Sequence, residues 1–134
     1  MSALSTYLEN KLVDHVLRNT AYTTPGTTIY VGLIKFYDSP VVEAGTLTQE
    51  ASGGAYARIQ VTAWDAPSDG ATQTTSAITF PTATGDWGNV SGVIVADAAS
   101  AGNVLLHGSL TTARDVKNGD VFKFNAGDLD ITFA

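Results

Sequence analysis

The sequence predicts a mainly β protein, an antiparallel sandwich or jelly roll with one N-terminal α-helix, and three observations carry that expectation. Thr, Ala, Gly and Val are favoured over Leu, Lys and Glu, a bias that suits short strands and small-residue turns. Turn signals divide the chain after residue 26 into about seven short apolar segments in under ~110 residues, the spacing of a sandwich. A four-residue apolar period occurs only in the first segment. The 134 residues suffice for one domain over 1–134 with one core, and 44% hydrophobic residues supply the material for it.

The helix comes first. Residues 3–18 contain no Gly or Pro, and Leu4, Leu8, Leu12 and Val16 recur every fourth position. Ser2 is the expected N-cap, and Asn19 with Thr20 closes the helix within 1–20, ahead of the turn-rich 22–26. Val13 and Leu17 widen the apolar arc beyond one packing surface. The arc is covered either by the core and its loops or by a subunit contact, for which Leu4, Tyr7, Leu8, Leu12, Val13, Val16 and Leu17 are the candidates.

Beyond Gly26 the period falls to two. Residues 28–37 are apolar on both faces, as in a central strand, and Asp38-Ser39-Pro40 ends it. Residues 38–54 read as a long exposed loop. In 56–63, Ile59, Val61 and Ala63 face inward while Arg58, Gln60 and Thr62 face solvent. After the turn at 64–70, strands are expected at 77–81, 87–97, 102–110, 121–124 and 129–133.

Chemistry is read mostly by exclusion. A net charge of -6 opposes nucleic acid and anionic lipid surfaces, and no run is long and apolar enough for a membrane helix. The N-terminus, with Glu9, Lys11 and Asp14, lacks the pattern of a signal peptide. With no cysteine there is neither a disulfide nor a thiolate site. No nucleophile elbow or phosphate loop is present, so no catalytic residue and no cofactor are assigned. His15, in the helix stripe, and His107, after Leu105-Leu106, read as partly buried structural residues. Asp128 and Asp130 would lie on one side of a strand opposite Leu129, Ile131 and Phe133, an ordinary solvated face rather than a metal site. Trp64 and Trp87 read as core, with stacking on sugar rings as the alternative.

Six segments then bear on family. Residues 7–15 (Tyr7 to His15), 20–23, 29–33, 52–58 (with Gly53-Gly54 and Arg58), 78–88 (Ile78 to Gly88) and 126–129 resemble, in order and spacing, the small virion proteins of tailed bacteriophages labelled phage tail fiber proteins. The chain departs from that pattern at 34–40, which is apolar here. The resemblance implies a non-enzymatic virion component, a tail-fibre-type or capsid-decoration (cement) subunit assembled in the host cytoplasm. Its partners would be copies of itself, as a homotrimer, and a neighbouring virion protein. The alternative function is a carbohydrate-binding module that contacts host surface glycans through Trp64, Trp87, Tyr37 or Tyr56.

Overall fold

A computed structural model describes residues 3–133. Its main sheet has five antiparallel strands in the order β1 (Ala3–Leu4), β7 (Val104–Val116), β6 (Gly88–Ala96), β2 (Tyr30–Lys35) and β3 (Ile59–Gln60). β2 lies inside the sheet with Leu33 opposite Val93 of β6, and its residues 31–34 are all buried. Apolar side chains on successive positions are what a strand covered on both faces requires. Two ribbons complete the β structure: β4 (Ala71–Gln73) with β9 (Asp130–Thr132), and β5 (Ile78–Thr79) with β8 (Lys123–Phe124).

The larger core lies on one face of the sheet. Val31, Leu33, Val93 and Val95 meet Ile78, Phe80, Phe122, Phe124, Leu129 and Ile131 from the ribbon region there. Phe80, Phe122 and Phe124 pack edge to face with centroids 5.2–6.3 Å apart, the geometry that aromatic quadrupoles favour. A second cluster of Ile34, Val42, Ile94, Ala96 and Val104 includes a residue of the short helix α2 (Ser39–Glu43). The mainly β, antiparallel, sandwich-like class expected from the sequence is therefore the observed one.

Several element boundaries differ from expectation. The helix α1 spans Thr6–Leu17 and is capped by Ser5, whose hydroxyl accepts a bond from the Leu8 amide at 3.2 Å. Ala3 and Leu4 are extended instead, paired with His107 and Leu106 of β7, so Leu4 is no part of the helix stripe. The expected cap Ser2 lies outside the described residues. Ser5 also donates its hydroxyl proton to the Val104 carbonyl and its amide to Leu105 at 2.9 Å, so three polar contacts place the break there. At the other end Asn19 takes a left-handed φ of 52°, as short amide side chains allow after a helix.

Within the expected loop 38–54 lie α2 and the buried Val42 and Ala51. Of 56–63 only Ile59–Gln60 forms a strand, because Tyr56 and Arg58 turn inward to make the contacts described below. β7 continues six residues past 110, held by pairs such as Arg114 with Val90 and Val116 with Gly88. The polar β4 and the two-residue β1 are supported by their partners rather than by their own composition.

Candidate functional site

Two clasps hold the body together beneath its surface. Arg58, expected on a solvated face, has a side chain only 1% exposed and forms an ion pair with Glu50 at 2.8 Å. Its remaining donors reach the carbonyls of Ala98 and Ala101 at 2.7 and 2.9 Å. A guanidinium leaves water at tolerable cost only with such complete pairing. The same segment supplies Tyr56, whose hydroxyl accepts from the Leu33 amide at 2.9 Å and whose pKa burial pushes far up.

The second clasp joins two of the segments that carried the family resemblance. Trp87 is 2% exposed and donates its indole N–H to the Gly54 carbonyl at 2.8 Å. Its ring stands edge-on to Tyr56 at 5.3 Å. Gly54 has a φ of +51°, and a Cβ there would lie 2.7 Å from the Gly85 carbonyl oxygen. Residues 52–58 and 78–88 thus meet through a backbone approach that no side chain fits between.

The two histidines divide. His107 is buried beside β1, with Nδ1 2.7 Å from the Tyr37 hydroxyl, and burial holds its pKa below the ordinary imidazole value. Tyr37 reaches it by crossing Gly92, where a Cβ would come within 2.5 Å of the ring. His15, expected to be partly buried, is exposed, with Nδ1 accepting from the Tyr22 amide at 3.2 Å. It lies two turns beyond the buried Leu8 on the same helix face, so the stripe that includes it is covered over its first half only. Asp128 and Asp130 are exposed and Leu129 and Ile131 buried, as expected, although Phe133 is 43% exposed. The Asp128 carboxylate accepts from the Asn125 amide at 2.9 Å. Among the described residues no three His, Asp or Glu side chains are grouped to hold a metal ion.

What the surface does offer is apolar. Along α1, Leu8 is buried and Tyr7 and Leu12 half-buried, whereas Val13, Val16 and Leu17 are 51%, 72% and 77% exposed. The arc is therefore split: its first half packs on the core and its second half faces solvent. Beside it runs an open groove of about 270 Å³, walled by Leu8, Leu12, Tyr22, Ile29, Trp64 and Phe133. Thr72 is the one hydroxylated aliphatic residue in its lining. Trp64 is half-buried in that groove, whereas Trp87 presents no face to a ligand. The groove was not legible in sequence because its walls come from segments spread along the chain from Leu8 to Phe133.

None of the curated proteins compared matches the chain. A family model described as Podophage GP4 fiber I protein gp80 matches residues 3–132, nearly the whole length. The resemblance carried by the six segments and the family match agree, and the chain belongs to the family of the podophage GP4 fiber I protein gp80, a family of virion fibre structural proteins.

Proposed function

We propose that the chain is a non-enzymatic tail-fibre-type or capsid-decorating subunit that works by burying apolar surface against copies of itself and a neighbouring virion protein. The observation that carries this reading is the outer half of α1, where the three large aliphatic side chains Val13, Val16 and Leu17, spaced three and four residues apart, stand in water together. Contiguous apolar surface on a folded chain marks a contact site, whereas scattered single residues do not. Attachment of this kind gains strength from copy number, since many weak contacts on a symmetric assembly act together.

The clasps support the same reading. Arg58, Glu50, Tyr56 and Trp87, the residues whose chemistry stands out, are engaged in holding the fold, and their polar atoms are directed into the protein. Assembly would take place in the host cytoplasm, before release of the virion.

The test is chemical cross-linking of purified virions followed by mass spectrometry. Cross-links from Lys11 to a second copy or to another virion protein are expected, because Lys11 lies on α1. Cross-links confined to Lys117 and Lys123, with Lys11 freely modified, would place the contact elsewhere on the molecule.

A further inference from the structure

We infer that the cleft between β7 and the segment 122–131 is the docking site for an extended peptide segment of a neighbouring virion protein, one that carries a carboxylate and a basic side chain on either side of an apolar residue. The inference deepens the reading above and rests on it: the outer half of α1 and this cleft are separate surfaces, and the cleft alone is assigned this occupant.

The backbone gives the first argument. Gly92 of β6 faces Ser109 of β7 and Val90 faces Arg114, so residues 110–113 stand opposite Ser91 alone and bulge out of the sheet. On its other side β7 pairs with Ala3 and Leu4 at His107 and Leu106, and among the described residues no strand lies beside it further along. Thr111, Thr112 and Ala113 are exposed. A bulge takes backbone donors and acceptors out of the ladder and re-aims them. Such groups at a sheet edge are what an extended chain pairs with.

The lining gives the second. Ser109, Leu110, Thr111 and Thr112 form one wall of a cavity of about 350 Å³, and residues of 122–131 form the other. Roughly 150 Å³ accommodates one benzene ring, so the cleft has room for the side chains of two or three residues. The buried Val93, Phe124 and Leu129 give it an apolar interior. Neither aromatic ring of the lining has a face open for a sugar to stack on: Phe122 and Phe124 are 4% and 9% exposed, and the Arg114 guanidinium lies 5.8 Å from the Phe122 ring centroid. An extended chain with one apolar side chain is the better fit.

Charge decides the chemistry of the occupant. The two walls run past each other, since Arg114 lies over Phe122 while Leu106 and Ile131 both border the groove beside α1 as well. Arg114 and Lys123 therefore stand toward one end of the cleft, and Asp128 and Asp130, which flank Leu129, toward the other. All four are exposed, and none enters an ion pair among the described residues. Opposite charges that line one cleft without meeting polarise it along its length, so it favours a ligand of the complementary polarity over one of a single sign. Alternate side chains of an extended chain share one face about 6.6 Å apart. An acid, an apolar residue and a base at alternate positions thus meet the basic end, the apolar interior and the acidic end in turn.

Nuclear magnetic resonance titration of the full chain with blocked seven-residue peptides tests the inference. The peptides have valine at the centre, threonine at the odd positions, and at the second and sixth positions either one glutamate and one lysine, in both orders, or two glutamates, or two lysines. One mixed order is expected to bind roughly tenfold or more tightly than either like-charged peptide, with amide shifts and slowed exchange confined to 109–114 and 122–131. Arg114→Glu with Lys123→Glu makes the cleft acidic throughout and is expected to turn the preference to the two-lysine peptide; circular dichroism verifies its fold, and Lys123→Glu alone replaces it if it is not folded. Tightest binding of the two-lysine peptide to the wild type would show attraction by the net charge of -6 alone and would overturn the inference. Equal binding of all the peptides, no binding at millimolar concentration, or shifts located on α1 would overturn it too. So would maltohexaose shifting the cleft amides where no peptide does, which would give the cleft to sugars. None of these results touches the role as a virion subunit, which the cross-linking of purified particles tests separately.

Discussion

Truncating Trp87 to alanine is expected to destabilise the protein by about 3–5 kcal/mol, the range for removing a fully buried tryptophan. The structure supplies the parts of that cost. The indole is 2% exposed, so nearly all its surface is withdrawn from water. It packs edge-on against Tyr56 at 5.3 Å, a contact worth about 0.5–1.5 kcal/mol beyond burial. Its N–H bond to the Gly54 carbonyl adds about 1 kcal/mol. Against a total stability of about 5–15 kcal/mol for a domain, the loss is a large fraction, and it corresponds to a fall in Tm of about 10–20 °C at this chain length.

A second substitution separates packing from hydrogen bonding. In Trp87→Phe the Gly54 carbonyl still accepts from the Thr84 amide at 2.9 Å, so no buried acceptor is orphaned. The expected cost is then about 2 kcal/mol, from one lost bond and a smaller ring. Urea and thermal unfolding followed by circular dichroism measure both. If Trp87→Ala melts within a few degrees of the wild type, the indole is not a core residue and the clasp between 52–58 and 78–88 is misassigned. If the variant also keeps its fold while losing binding to a glycan array, a stacking role would replace the structural one.

Glu50→Ala is expected to cost about 3–5 kcal/mol, because it leaves the Arg58 guanidinium buried without its carboxylate; replacing both residues, by Leu and Met, should recover part of this in urea titrations, and equal losses would argue against a buried pair. His107 is held neutral by burial, with a folded pKa below 6.5, while the unfolded chain binds a proton near 6.5. Its contribution to stability is therefore full above about pH 6.5 and is lost as pH falls toward the folded value. Melting curves from pH 7 to 5 should thus fall more steeply for the wild type than for His107→Gln, and parallel slopes would contradict it. Dialysis against a chelator is expected to leave Tm unchanged, since Asp128 caps a turn and Asp130 faces solvent; a shift of several degrees would reveal a bound cation.

Periodicity along the chain was enough to establish the class of the fold and its longest elements. Residues 28–37 are apolar on both faces because both faces of β2 are covered, and the Leu8 and Leu12 spacing marks α1 because side chains four apart share one helix face. The colinear segments likewise carried the family, since local turn chemistry is written in neighbouring residues. What only the tertiary structure decided are the features whose partners are distant in sequence. Arg58 reads as solvated until Glu50, Ala98 and Ala101 surround it, and Ala3–Leu4 reads as helix until β7 offers it a ladder. Trp64 and Phe133 become walls of one groove only when the 68 residues of intervening chain have folded back. The division has one physical cause: periodicity reports which faces of an element are apolar, whereas which of those faces remain in water depends on what the rest of the chain covers, and α1 is covered on its first half only.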